Sequence, residues 1–169
     1  GSVGKTTLAL DLAAGILCHA EDPGLRPCGA CRSCRLIDAG VFAGWTRTGQ
    51  SFKVLPLDTA GTASMCRFFS VNFAPKSSHF YTPLASECAT VKQNPDWLFE
   101  AEVFAVRLPD AAGTCAQGTL ALYRLYNDGR GGAPNHRYTT SGATRADMLG
   151  QGWIPEGAGD LGVIGCVPE

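Results

Sequence analysis

With 169 residues, the chain has room for one domain, or for one domain and a fragment of another. A composition of 45% hydrophobic and 17% charged residues is that of a globular protein and excludes a disordered or fibrous one. A formal net charge of -1, with no basic stripe, argues against a broad nucleic-acid surface, because phosphate binding draws on clustered lysine and arginine.

The first predicted element is a loop leading into a helix. Gly1-Ser2-Val3-Gly4-Lys5-Thr6-Thr7 reads as the second half of a phosphate-binding loop. In such a loop the backbone around Gly4 and Thr7 cradles phosphates, Lys5 reaches the outer ones, and Thr6 holds Mg²⁺. Residues 6–17 then place Leu8, Leu12 and Ile16 on one helical face, with the helix N-terminus aimed at the phosphates. The apolar stretch 8–18 is broken by Asp11 and Gly15 and is too short to span a bilayer. Opening on Gly rather than Met, with the first loop glycine missing, the chain reads as the interior of a longer one.

Four cysteines follow at metal-ligand spacing: Cys18, then Cys28, Cys31 and Cys34 in two overlapping CxxC steps. Four thiolates so placed can close a tetrahedron around zinc, and with all four positions filled the metal would be structural. Packing alone seldom requires CxxCxxC. Together these motifs, GKTTLALDLAAGILC and PCGACRSCRLIDAG, resemble clamp-loader subunits of bacterial DNA polymerase III, of the gamma/tau and delta-prime type. The resemblance covers residues 1–40 and implies ATP at Lys5 and Thr6, zinc at the four cysteines, and other clamp-loader subunits as partners. No later segment supplies the apolar strand ending in Asp-Glu that ATP hydrolysis needs to position Mg²⁺ and water.

The remainder repeats itself. Met65-Cys66-Arg67-Phe68-Phe69 aligns with Leu122-Tyr123-Arg124-Leu125-Tyr126, and His79-Phe80-Tyr81-Thr82 aligns with His136-Arg137-Tyr138-Thr139, both at an offset of 57. Trp97-Leu98-Phe99-Glu100 matches Trp153-Ile154-Pro155-Glu156 with one residue fewer, and Gly44-Trp45 starts an earlier copy. Such self-similarity implies supersecondary units that share a core. Within each unit, residues 66–71 and 120–126 read as first strands and 79–82 and 136–139 as their hairpin partners. The loops between them, 74–78 and 128–135, are dense in turn residues. Residues 85–93 and 143–149 read as short helices, each followed by a tryptophan-led strand. The unit is therefore strand, strand, short helix, strand.

From about residue 42 onwards, CRFF, SSHFYT, ECATV, DWLFE, LYRLYN, GGAPNHRYTT, GWIPEG and GVIGC resemble a bacterial repeat family catalogued as domain of unknown function 5648. Members of that family are typically exported and carry no assigned activity, so the resemblance implies a fold and not a reaction. Glu100-Ala101-Glu102 stands where Glu-Gly is usual, which alters one turn.

Candidate chemistry in the repeats competes with packing. His79 and His136 suit hydrogen-bonded strand positions better than metal ligation. Tyr81, Tyr138, Trp97 and Trp153 offer faces on which sugars stack, but for the tryptophans the core is the better reading, since one per unit is what a structural anchor looks like. Arg67 and Arg124, each inside an apolar strand, are expected to pair with Glu100 and Glu156 or to cap a carbonyl. Cys66, Cys88, Cys115 and Cys166 allow three disulfide pairings, of which Cys88 with Cys115 and Cys66 with Cys166 is the expected one.

The fold expected is α+β: a β-rich repeat domain with short helices over 41–169, preceded by a truncated P-loop helix and zinc knuckle over 1–40. The function expected is a non-enzymatic binding module of the envelope or exterior, with a glycan or protein ligand contacted through loops 74–78 and 128–135. The alternative is a cytoplasmic clamp-loader ATPase. Thiolates for zinc and disulfides require opposite redox conditions, which places a junction between the two parts near Gly40.

Overall fold

The computed structural model describes residues 51–70, 72–73 and 78–169. Residues 52–169 form one compact unit. Its elements run β1 (Ala63–Ser70), β2 (Ser78–Thr82), α1 (Ala85–Val91), β3 (Leu98–Val106), β4 (Thr119–Tyr126), β5 (His136–Thr139), α2 (Gly142–Gly150), β6 (Ile154–Glu156) and β7 (Val163–Pro168). The order of strand, strand, short helix, strand is thus present twice, and the described residues are mostly β-structure with two short helices. The nucleotide residues Gly4, Lys5, Thr6 and Thr7, the zinc cysteines, and the earlier copy at Gly44-Trp45 lie outside the described residues.

Each repeat builds its own antiparallel sheet around its first strand. β1 lies between β2 and β3, with Arg67 opposite Tyr81 on one side and Ala101 on the other. β4 likewise lies between β5 and β6, with Arg124 opposite Tyr138 and Glu156, and β7 completes the far end. The period-2 pattern explains the core. In β1, Cys66, Phe68 and Ser70 point inward while Arg67 and Phe69 are partly covered. Phe68, Met65, Leu122, Leu125, Ile164 and Val106 are among the largest side chains fully removed from water.

The altered turn is visible as a difference between the two copies. In the first repeat, Glu100-Ala101-Glu102 lets β3 run through without interruption, with two register irregularities against β1. In the second, the equivalent strand is cut into β6 and β7 by residues 157–162. Gly157 makes that exit possible: its φ is 138°, and a Cβ there would lie 2.6 Å from the Val163 carbonyl oxygen.

The disulfides correct the expected pairing. Cys66 is bonded to Cys88, and Cys115 to Cys166, rather than Cys88 to Cys115 and Cys66 to Cys166. Each bond stays inside one repeat. The first ties β1 to the buried face of α1, where Cys66, Cys88, Phe68 and Phe80 cluster against Val91, Trp97 and Phe99. The second ties the segment leading into β4 to β7, which is paired with β4 through Ala121 and Cys166. The expected pairing would have stapled one repeat to the other, but the repeats are joined by non-covalent contacts. Arg107 and Cys166 exchange backbone hydrogen bonds of 3.1 and 2.7 Å between the end of β3 and β7.

Candidate functional site

The polar interior of the second repeat is organised by Arg124, which is 4% exposed. A cation buried within a strand requires partners, and Arg124 has four, one of them the Tyr81 carbonyl oxygen, which accepts from its Nη1 at 3.4 Å. Its Nη1 and Nη2 donate to the two carboxylate oxygens of Glu87 at 2.8 and 2.9 Å, the bidentate geometry that suits guanidinium and carboxylate. Its Nε lies 3.1 Å from Oε2 of Glu156, an ion pair at an angle poor for a hydrogen bond. Its guanidinium also sits 5.1 Å from the centre of the Phe80 ring. Burial works against the charge on Arg124, but the Glu87 hydrogen bonds, aided by the charge of Glu156, outweigh it and leave the guanidinium more basic than usual.

Glu156 also meets His136, with Nε2 at 3.1 Å from Oε2. Burial raises the Glu156 carboxyl, but His136 and Arg124 together hold it below the ordinary carboxylate value. His136 stacks on Tyr126, with ring centroids 4.9 Å apart, and meets the edge of Phe80 at 4.8 Å. The first repeat carries the same triad. Arg67 Nε lies 2.8 Å from Glu100 Oε2, His79 Nε2 lies 3.5 Å from the same oxygen, and His79 leans on Phe69 at 4.7 Å. Burial, opposed by Glu100 and reinforced by Arg67, lowers the His79 pKa. The expected pairing of Arg67 with Glu100 and of Arg124 with Glu156 is therefore present, and both histidines are strand residues beside carboxylates.

The tyrosines join the repeats. The Tyr138 hydroxyl donates to the Tyr81 carbonyl at 2.8 Å and accepts from the Tyr81 backbone N–H at 2.8 Å, so one repeat's tyrosine caps the strand of its own equivalent. Tyr81 and Tyr138 are 7% and 5% exposed, which rules them out as sugar platforms. Burial pushes the Tyr81 hydroxyl up to about 12 against the pull of Arg67, and pushes Tyr138 up further. These tyrosines stay protonated throughout the physiological range.

Where the repeats meet, a shallow cleft of about 190 Å³ opens. Its walls are apolar: Phe80, Val91, Trp97, Tyr126 and Pro134. Asn94 supplies its polar edge, while His136 lines it with Nε2 held on Glu156 and Nδ1 buried. Trp97 packs on Phe80 and Phe73, each with centroids 6.0 Å away, so it is a half-buried anchor that turns one side to the cleft. Trp153 does not line the cleft. The loop 128–135 brings Pro134 to the rim and is held by one buried side chain, Asn127. Its Nδ2 donates to the carbonyls of Arg130 and Ala133 at 2.9 and 3.0 Å, and its Oδ1 accepts from the N–H groups of Asn135 and Gly129 at 2.7 and 3.2 Å. The loop 74–77 lies outside the described residues.

Sequence reasoning missed Glu87, Asn94 and Tyr126 as site residues. Glu87 has no acidic counterpart in the second repeat, where Thr144 occupies the equivalent helix position, so repeat comparison conceals it. Among the described residues, no three His, Cys, Asp or Glu side chains are placed to hold a metal ion, and no helix is long and apolar enough to cross a membrane.

One family described as a domain of unknown function (DUF5648) matches residues 35–162. Comparison with curated proteins and with solved structures gives no match.

Proposed function

This chain belongs to the DUF5648 family, and we propose that it is a non-catalytic, exported binding module whose cleft between the repeats takes a saccharide. The observation that carries this reading is the cleft wall of Trp97, Tyr126 and Phe80 beside the exposed amide of Asn94. An aromatic face suits the apolar face of a pyranose, while the exposed Asn94 amide can meet its hydroxyls. The size agrees. Pockets for drug-sized ligands hold ~300–1,000 Å³, so a cleft of about 190 Å³ suits a single ring rather than a dinucleotide. The two disulfides fit an oxidising, extracellular environment. Glu87, Glu100 and Glu156 are each engaged by arginine, which suits structural roles better than proton transfer.

Co-sedimentation with insoluble chitin, cellulose and peptidoglycan tests the reading. Retention on at least one polymer is expected, with a loss of about tenfold in Asn94→Ala and in Tyr126→Ala, since each removes one ligand contact worth ~1.4 kcal/mol. Equal retention of both variants and the parent, or no retention of the parent, counts against it.

A second reading rests on residues 1–40. Gly4-Lys5-Thr6-Thr7 and the four cysteines favour a segment of clamp-loader type that binds structural zinc at Cys18, Cys28, Cys31 and Cys34, with ATP and Mg²⁺ at the loop. Elemental analysis of the purified chain is expected to give one zinc per chain, lost on Cys31→Ser; a metal-free parent protein counts against this reading.

A further inference from the structure

One wall of the cleft is built by a single turn. Asn94-Pro95-Asp96-Trp97 joins the end of α1 to β3, and across it the Trp97 N–H donates to the Asn94 carbonyl at 3.1 Å. Asparagine first and proline second are residues that such a turn favours. The Asn94 N–H in its turn donates at 3.0 Å to the carbonyl of Val91, the last residue of α1. Val91, Asn94 and Trp97 all line the cleft, so their spacing is set by backbone bonds before any ligand arrives.

The same turn decides which half of the Asn94 amide is on offer. Oδ1 accepts from the Asp96 N–H at 3.0 Å. Asp96 is itself held by Asn72, whose Nδ2 donates to its carboxylate at 2.8 Å. A backbone N–H can only donate, so the amide keeps its oxygen toward the turn. Asn94 is exposed and lines the cleft, and what it offers there is the Nδ2 donor. The rest of the lining gives little to a ring of hydroxyls. Phe80, Val91, Trp97 and Pro134 are apolar, and His136 has Nε2 on Glu156 and Nδ1 buried. Tyr126 turns its hydroxyl to the loop, where the oxygen lies 3.6 Å from the place of a Cβ on Gly129. No Asp, Glu, Lys or Arg is among the lining residues, so nothing there matches the ammonium of a free amino sugar or the carboxylate of an acidic one.

We propose, resting on the saccharide reading of the cleft, that its ligand is an N-acetylated amino sugar and that Asn94 determines this specificity. A plain hexose sets hydroxyls against Val91 and Pro134, and a hydroxyl covered by apolar groups without a partner is costly. An acetamido group meets both sides of the lining. Its carbonyl oxygen accepts from Asn94 Nδ2, and its methyl group packs on the apolar wall. The sugar ring stacks on Trp97, three residues further along the same turn.

Isothermal titration of the full chain with chitotetraose, its fully deacetylated counterpart and cellotetraose tests the assignment. Chitotetraose is expected to bind about tenfold more tightly than either of the others, the worth of one hydrogen bond gained with a methyl contact. Asn94→Asp keeps an oxygen for the Asp96 N–H, and with it the turn, but puts an acceptor where the donor was. That variant is expected to bind chitotetraose no better than cellotetraose. Equal affinity of the parent for chitotetraose and cellotetraose, or a preference that survives Asn94→Asp, overturns the N-acetyl assignment while the saccharide site stands. Absence of binding to all three overturns both.

Discussion

Arg124 is the residue on which the two repeats depend most. It is nearly sealed from water, binds Glu87 with both Nη groups, and meets Glu156 from the opposite side. Arg124→Met leaves two partly buried carboxylates without their cation, so a loss of about 3 kcal/mol in unfolding free energy is expected from urea denaturation; unchanged stability would show that the pairing carries little. Glu156 gives a pH signature. Its folded-state pKa lies below its ordinary value of 4.5, so the unfolded chain binds the proton more readily. The stabilisation is complete above about pH 5 and is lost as the pH falls through the lowered folded value. Glu156→Gln is expected to flatten the fall in melting temperature between roughly pH 5 and pH 3, whereas a parallel fall in both proteins would assign the acid sensitivity elsewhere. The arginine and glutamate of each repeat were legible from their recurrence in apolar strands. Glu87 was not, because it has no counterpart in the second copy and acts across the junction.

At the scale of elements, the hairpin strands and the two short helices follow from the sequence within a few residues, since alternation in 66–71 and 120–126 and the turn-rich gaps leave little choice, whereas β7 was not read as a strand. The disulfides did not follow. Spacing allowed three pairings, and only the docking of α1 on β1 and of β7 on β4 selects the two that form. In the loop-closure account these bonds confer roughly 3 and 4 kcal/mol for separations of 22 and 51 residues, each strengthening its own repeat. The loop 128–135 was expected to contact ligand, and its Pro134 does line the cleft. What sequence could not show is that Asn127 holds it. Asn127→Ala removes four side-chain hydrogen bonds to loop backbone groups, so a loss of about 2 kcal/mol and faster amide exchange at Gly129 and Asn135 are expected. Retained protection at both amides would show that the loop is held by other contacts.

For the whole molecule, the two repeats of residues 52–169 are held together by backbone bonds from Arg107 to Cys166, by Tyr138 on Tyr81, and by Arg124 on Glu87. That junction brings Trp97 and Asn94 of the first repeat next to Tyr126, Pro134 and His136 of the second. The repeat and the family were readable from the sequence, but the cleft was not. It is made of residues that are not repeat-equivalent, and it exists only where one copy meets the next. The central claim is that this meeting place binds a sugar ring, and the indole N–H signal of Trp97 in a ¹⁵N spectrum reports on it most directly. Titration with chitotetraose is expected to shift the Trp97 indole signal while that of Trp153, outside the cleft, stays in place, and Asn94→Ala is expected to weaken the response. A Trp97 signal that does not move up to millimolar sugar, or that moves equally with Trp153, would contradict the assignment of the cleft as a saccharide site.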